Sequence, residues 1–176
     1  MEHQGRDDLR DRVADYLRAH HTMTIATMGP AAAPGAAPGA RQDGPAGNAP
    51  HAASVFYAVD DALRLVFLSK PTSAHGIHIG RHAPVAVTVS EDYEDWEMIQ
   101  GVQLWGAARL LSGAAKAGAL ALYLRRFPFV REMAKQPRLA EIVRNIGVYR
   151  VEPERAAFTD NTTGVFGREV FELVLE

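Results

Sequence analysis

The sequence predicts a mainly β fold, a small antiparallel barrel with flanking helices. Short apolar or β-branched runs recur along most of the chain, and tight turns such as Asp60-Asp61 separate them. Helical periodicity is confined to the first 20 residues, a short stretch after residue 73 and the region 113–143. Many short strands joined by turns, with helices at the ends and in one crossover, favour closure of the sheet into a barrel.

The composition bounds the domain count and the chemistry. The 176 residues suffice for one domain with a real core, so we expect a single domain over 1–176. The absence of cysteine excludes disulfides, zinc–thiolate sites and thiol catalysis. The net charge of −2 argues against a nucleic-acid partner. No apolar run approaches the ~20 residues of a membrane span, and the charged N-terminus lacks a signal-peptide core, so we expect a cytoplasmic protein with no membrane partner.

The first part of the chain is predicted to hold one helix, three strands and a low-complexity stretch. Residues 6–20 form an amphipathic helix in which Leu9, Val13 and Leu17 share one face. Residues 29–50 are nearly all alanine, glycine and proline, so we expect a flexible loop. The predicted strands are 22–28, 52–59 and 63–69, of which the last two form a hairpin.

Polar groups concentrate where the third strand ends. The strand stops at SKPTS (69–73), a short helix with three histidines follows, and Pro84 opens the next strand at 85–90. Hydroxyls, a cation and unpaired helix N–H groups together suit a phosphate. The alternative is that Thr72 or Ser73 simply caps the helix, and on this segment alone that interpretation is favoured.

The second part is predicted to contain one long strand, a helical crossover and the closing strands. The long strand spans 98–111 after an exposed acidic turn at 91–97, and Gly101 and Gly106 predict a bulge, a bend or a close backbone approach within it. Ser112 is expected to cap the helix that follows. The remaining elements are helices at 113–126 and 130–143 and strands at 147–151, 156–159 (after a turn at Pro153) and 170–175.

Large residues lie on both faces of the long strand. Val102 and Leu104 point to one side, and Gln103 and Trp105 point to the other. A strand of this kind is covered on both faces. We therefore expect one face to meet the barrel core and the other to meet a partner subunit or a flat ligand.

Two other groups of side chains allow functional interpretations. His75, His78 and His82 share a helical face that suits a metal or haem, but no carboxylate adjoins them. Exposed helix histidines are therefore the favoured interpretation, and no metal site is assigned. Arg125 and Arg126 suit an anion, and they suit equally the C-terminal dipole of their own helix.

Three stretches occur together in a specific order. They are the strand–SKPTSxH–helix–Pro–strand unit, GVQLWGAARLL (101–111), and the pair RRFPFVREM (125–133) and FTDNTTGVFGRE (158–169). With them the chain resembles the pyridoxamine-5′-phosphate-oxidase-like FMN-binding split-barrel superfamily, in particular its uncharacterised YhbP-like bacterial subgroup. The likeness covers roughly residues 10–171. The Ala/Gly/Pro stretch and the extra sequence at 136–145 depart from it.

The resemblance implies a six-stranded antiparallel split barrel that forms a homodimer, with FMN in a cleft between the subunits. The implied phosphate ligands are Ser69, Lys70, Ser73 and His75. The residues implied to lie along the isoalloxazine are Ser54, Val55, Phe56 and Tyr57. Those implied to line the cleft from the partner subunit are Gln103 and Trp105. Position 75 is often lysine in such proteins, and a histidine is only partly charged near neutral pH, so His75 weakens the implied site.

The resemblance further implies a flavin-dependent oxidoreductase that acts on a small substrate. No catalytic residue is assigned, because a flavin carries hydride chemistry itself. The alternatives are deazaflavin F420 or haem in the same cleft, and a dimer without cofactor or enzymatic activity. In the segment 158–167, the turn-forming Asp160 and Asn161 suit both a lid over the cleft and a rigid turn that closes the barrel.

Overall fold

Five helices and seven strands are formed in the computed structural model, which describes residues 2–29, 49–164 and 167–173. The helices are α1 (Glu2–Ala19), α2 (Ala74–Arg81), α3 (Gly113–Arg126), α4 (Phe129–Lys135) and α5 (Pro137–Arg144). The strands are β1 (Thr22–Met28), β2 (Pro50–Val59), β3 (Leu65–Ser69), β4 (Pro84–Ser90), β5 (Gln100–Leu110), β6 (Gly147–Asp160) and β7 (Arg168–Glu172). Most of the predicted flexible loop, residues 30–48, lies outside the described residues.

Six strands close into an antiparallel barrel, which confirms the predicted fold class. The sheet runs in the order β3-β2-β1-β4-β5-β6, and pairing of β3 with β6 closes the circuit. The predicted hairpin of β2 and β3 is present, with Tyr57 opposite Phe67. The seventh strand, β7, lies outside the closed circuit and pairs with the second half of β6.

The strand β6 runs unbroken for 14 residues, whereas the sequence predicted two strands separated at Pro153. The chain passes Pro153 through a bulge, because the register of β5 with β6 shifts between Trp105 and Gly106. A Cβ atom on Gly106 would lie 2.1 Å from the carbonyl oxygen of Glu152, so the close approach requires glycine. The close backbone approach predicted at Gly106 is therefore confirmed, the bulge itself lies in β6, where Glu154 has no partner in the register with β5, and the predicted strand break is wrong.

The barrel core is filled by the inward-facing residues of the strands and by one face of α1. Met23 and Ile25 of β1 alternate with exposed or half-buried neighbours, as expected for a strand with one face in the core. From α1, Val13 and Leu17 are fully buried in the same cluster. Burial of each such side chain stabilises the fold by about 1.5–3 kcal/mol. The amphipathic helix predicted near the N-terminus is thus part of the barrel's core.

The crossover from β5 to β6 contains three helices where the sequence predicted two. α4 and α5 are separate because the chain leaves the helical conformation at Gln136. Ser112 stands at the N-cap of α3 but makes no side-chain capping bond, so its predicted capping role is wrong. α3 buries Ala119 and Tyr123 in a second cluster against the outer side of β3. None of these helices, nor any other in the described ranges, is long and apolar enough to cross a membrane.

Candidate cofactor site

The polar residues at the end of β3 converge on the first turn of α2. The Oγ atom of Ser69 lies 2.6 Å from Nε2 of His75 and 3.2 Å from Oγ of Ser73. Ser73 accepts a hydrogen bond from the Gly76 N–H at 3.2 Å and donates to the Lys70 carbonyl at 2.8 Å. We call Ser69, Lys70, Ser73 and His75 the cradle. The structure brings all four together, and Ser73 also caps α2.

His75 is buried, in contrast to the exposed position that the sequence favoured. The residue is 8% exposed, and its ring lies 6.2 Å from the ring of Phe67 and 5.9 Å from that of His51. Burial, together with His51 and His78 nearby, holds the pKa of His75 below its usual range. The imidazole is therefore uncharged at neutral pH, and Lys70 supplies the positive charge of the cradle.

His78 is buried as well, so the expectation of exposed histidines is wrong for two of the three. Its Nδ1 atom lies 3.0 Å from the Thr27 hydroxyl, and its ring lies 5.7 Å from that of His51. The physical reason is that hydroxyls of β1 and β3 satisfy the two imidazoles, which makes their burial tolerable. His82 remains exposed. Among the described residues, no group of His, Asp and Glu side chains is placed to hold a metal ion.

The four site residues predicted on β2 divide between its two faces. Ser54 and Phe56 point outward, and Phe56 is 47% exposed. Val55 packs against the core, and Tyr57 lies fully within it. The Tyr57 hydroxyl donates to the Leu17 carbonyl at 2.7 Å. The side chains of Ser54 and Phe56 are thus open to a ligand, and that of Tyr57 serves the core.

The outward residues of β2, β1, β4 and β5 form two rows in register. The first, which we call the hydroxyl row, consists of the hydroxyl residues Ser54, Thr24 and Thr88 and ends at the amide of Gln103. The second, which we call the alanine row, consists of Ala52, Ala26 and Ala86 and leads to Trp105. Because these side chains are small, the outer face of the barrel is flat here. Phe56 and Trp105 are the exposed aromatics at its sides.

Gln103 and Trp105 lie on the outer face, as the alternation of the long strand predicted. The Oε1 atom of Gln103 accepts a hydrogen bond from Arg168 at 2.7 Å. Trp105 is 37% exposed, and the guanidinium carbons of Arg155 and Arg168 lie 6.0 and 5.8 Å from its ring centroid. Val102 and Leu104 are buried on the opposite face. The two arginines were not predicted from the sequence, since their positions depend on how β6 and β7 pair.

The RRFP segment fastens α3 to the end of α1. Arg126 donates to the carbonyl oxygens of Arg18 and His20 at 2.7 and 2.6 Å, so it satisfies the last carbonyls of a helix other than its own. Phe127 is buried beside Tyr123, with 4.8 Å between ring centroids. This use of Arg126 differs from both roles that the sequence offered for it. Arg125 is exposed.

Asp160 organises the turn that follows β6. Its buried carboxylate accepts hydrogen bonds from Gln100 at 3.0 Å, from Arg12 at 3.0 Å and from the Thr162 hydroxyl at 2.6 Å. Burial opposes ionisation, but these bonds outweigh it and hold the pKa of Asp160 below its usual range. These contacts favour the rigid-turn interpretation of the segment. Its residues Val165 and Phe166 lie outside the described part of the chain.

Sequence similarity to known proteins shows the family of this chain. A UPF0306 protein of Klebsiella pneumoniae is 35% identical over 119 residues, which are 67% of this chain and 73% of the relative. The chain belongs to the UPF0306 family. Another UPF0306 protein, YhbP of Salmonella schwarzengrund, is 33% identical over 119 residues. The resemblance to the YhbP-like subgroup is thereby confirmed, while a scan of protein-family models finds no match.

Solved structures confirm the split-barrel fold of this UPF0306 protein. A haem-binding protein from Mycobacterium smegmatis superimposes with a TM-score of 0.62 at 15% identity, covering 89% of this chain and 55% of that one. A putative pyridoxamine 5′-phosphate oxidase from Listeria innocua superimposes with a TM-score of 0.56 at 17% identity, covering 84% of this chain and 95% of that one. At these identities the likeness shows the fold alone.

Proposed function

We propose that this UPF0306 protein is a homodimeric flavoprotein that binds FMN along the outer face of its barrel and carries out a redox reaction on a small substrate. The observation that carries the proposal is the flat outer face beside the cradle. In the pairing of β2 with β3, Tyr57 is opposite Phe67. If this register is extended by two residues toward the end of β3, Ser69 lies opposite Val55. The cradle therefore stands next to the strand whose outward side chains begin both rows.

The cradle has the chemistry to hold the phosphate of FMN. Lys70 is exposed and provides the charge, and Ser69 provides a hydroxyl. When Nε2 of His75 carries the hydrogen, His75 donates to Ser69, and the Ser69 hydroxyl, which donates to Ser73 at 3.2 Å, can exchange that bond for one to a phosphate oxygen. In this arrangement His75 is a positioning residue, and its lack of charge at neutral pH does not prevent phosphate binding.

The two rows suit a planar ring. The alanine row offers a surface without bulky side chains, and the hydroxyl row offers hydrogen-bonding groups to the edge of an isoalloxazine. A bound flavin would supply hydride transfer, and the protein would supply binding and orientation. Gln103 already has its amide oxygen fixed by Arg168, which leaves its NH₂ group to donate to a ligand.

Exposed aromatic residues support the homodimer. Phe56 makes a tilted contact with Phe127 and an edge-on contact with Phe129, with centroid distances of 5.3 and 6.0 Å, and Phe129 is itself 45% exposed. Trp105, flanked by arginines, lies across the flat face. Exposed aromatic groups with neighbouring arginines are typical of the centre of protein–protein interfaces. A second copy that covers this face would enclose the ring of the cofactor between subunits.

The test is reconstitution of the full chain with excess FMN, followed by desalting. We expect retained flavin absorbance, a raised melting temperature, and a dimer by light scattering. Ala86→Leu places a bulky side chain in the alanine row and is expected to weaken FMN binding at least ~10-fold, since overpacking of a fitted surface is destabilising. Ser90→Leu is the matched control on the same face of β4, where we expect wild-type binding. The absence of both bound flavin and a melting shift in the wild type would refute the proposal.

Haem is the second candidate, and one observation favours it. The ring of His51 lies 5.9 Å from that of His75 in the cradle and 5.7 Å from that of His78, so three imidazoles cluster here, and imidazole is a common axial ligand of haem iron. The haem-binding protein that shares the fold adds support. The absorbance spectrum of the protein as purified separates the candidates: a Soret band that disappears in His51→Ala favours haem, and the two-band spectrum of oxidised flavin favours FMN.

A further inference from the structure

A second cleft lies between the crossover helices and the outer side of the barrel. Its volume is about 780 Å³, which is within the range of small-molecule sites. Leu68 lines it from β3, and because side chains alternate along a strand, it points away from the core that Phe67 occupies. Further apolar side chains line it from all three helices, among them Leu120 of α3, Val130 of α4, and Ala140 and Val143 of α5. The cleft contains no residue of the cradle or of the two rows.

Each of the three crossover helices contributes one cation to this cleft. They are Lys116 of α3, Arg131 of α4 and Arg144 of α5, and no acidic side chain lines the cleft with them. None of the three has an ion pair with any residue in the described ranges. By contrast, Lys135 of α4 pairs with Glu132 at 2.7 Å. An apolar cavity lined by positive charges without ion-pair partners favours an apolar ligand that carries a negative group.

We propose that the cleft binds an amphiphilic carboxylate of the fatty-acid type, with its chain against the leucine and valine walls and its carboxylate toward Lys116, Arg131 and Arg144. A neutral apolar ligand would gain no attraction from the three cations, and a cationic amphiphile would be repelled by them. The wall formed by α5 belongs to the stretch 136–145, where the sequence departs from the superfamily it resembles. The site is therefore separate from the proposed flavin site and independent of it.

The experiment is calorimetric titration of the full chain with decanoate below its micellar concentration. The matched probe is decyltrimethylammonium, which has the same chain length and the opposite charge. We expect one decanoate to bind per chain and no saturable binding of the ammonium compound. Octanoate, which is two methylenes shorter, should bind roughly 15-fold more weakly than decanoate, because each buried methylene contributes about fourfold in affinity.

Charge-reversal variants locate the site. In the triple variant Lys116→Glu, Arg131→Glu and Arg144→Glu, we expect decanoate to bind at least roughly tenfold more weakly, since three attractive charges become repulsive. Arg138→Glu is the control on α5, because Arg138 lines a different groove beside Pro71. Its affinity for decanoate should stay within roughly twofold of the wild type. The circular dichroism spectrum checks that each variant is folded.

Ala140→Trp tests the apolar part of the cleft without a change of charge. It replaces the triple variant as the test of the site if the triple variant does not fold. It should abolish decanoate binding by filling the cleft. The proposal is overturned if both amphiphiles bind equally, or if Ala140→Trp or the folded triple variant binds decanoate as the wild type does. A triple variant whose mass in solution changes would also overturn it, because the cleft would then face another copy of the chain.

Discussion

The cradle and the turn at Asp160 both gather polar side chains, but they satisfy them in different ways. The Asp160 carboxylate is 6% exposed and accepts bonds from α1, from β5 and from its own turn. In the cradle, hydroxyls and a neutral imidazole bond to one another, and Lys70 has no ion pair within the described part of the chain. A charged group whose hydrogen bonds and ion pairs are made by the protein itself stabilises the fold, whereas a charged group without such partners is available to a ligand.

Removal of the Asp160 carboxylate should give the largest loss of stability. Asp160→Ala leaves Gln100 and Thr162 without an acceptor and Arg12 with one exposed partner, Glu169. We expect the free energy of unfolding to fall by about 3 kcal/mol, the range for breaking a buried charged network. Urea denaturation measures it.

Glu169→Ala is the control for this prediction. Glu169 also pairs with Arg12, at 2.8 Å, but its side chain is 53% exposed. Exposed ion pairs contribute about 0–1 kcal/mol, so this variant should remain close to the wild type. If the two variants lose equal stability, the proposed contrast between the turn at Asp160 and the cradle is wrong.

The two regions should lose stability in different ranges of pH. Burial lowers the folded-state pKa of His75 and His78 below the unfolded value of about 6.5. The unfolded chain therefore binds more protons below about pH 6.5, and stability present above that value is lost as the pH falls through the folded-state pKa. The pKa of Asp160 is also lowered, but from about 3.9, so its contribution is present above about pH 4 and is lost below it.

Urea midpoints measured across these two ranges test the assignment. The free energy of unfolding should fall as the pH is lowered below about 6.5, because protonation of the two histidines then favours the unfolded chain. The double variant His75→Gln and His78→Gln should flatten this step and leave the step below about pH 4 in place. A wild-type stability that stays constant between about pH 7 and 5 would contradict the burial of the histidines.

The sequence predicted those features that depend only on residues close together along the chain. The alternation of Val102 and Leu104 with Gln103 and Trp105 gave both faces of β5, and the Ser73 position gave the cap of α2. The burial of His75 and His78 was missed, because the hydroxyls that satisfy them, on Ser69 and Thr27, lie on strands whose register the sequence does not give. The role of Arg126 was missed for the same reason, since its acceptors lie more than 100 residues away along the chain.

The cap of α2 should contribute less than the network at Asp160. Ser73→Ala removes the acceptor of the Gly76 N–H, which costs about 1 kcal/mol of stability. Ser112 provides an internal comparison, because it occupies the N-cap of α3 without a capping bond. Ser112→Ala should change the free energy of unfolding by less than about 0.5 kcal/mol. Equal losses in the two variants would show that the Ser73 bond does not stabilise the cradle.

Lys70 should show the smallest effect on stability and a large effect on ligand binding. Lys70→Ala removes an exposed side chain with no ion pair in the described residues, so the free energy of unfolding should change by less than about 0.5 kcal/mol. Loss of a charge-assisted bond to phosphate should weaken FMN binding about 10-fold or more.

The salt dependence of binding shows whether Lys70 acts through its charge. FMN affinity should fall with added salt in the wild type and in Lys135→Ala, a control lysine paired with Glu132. In Lys70→Ala the affinity should be low and nearly independent of salt. If Lys70→Ala instead loses stability and keeps its affinity for FMN, then the cradle resembles the Asp160 turn: its charge serves the fold, and the phosphate is bound elsewhere.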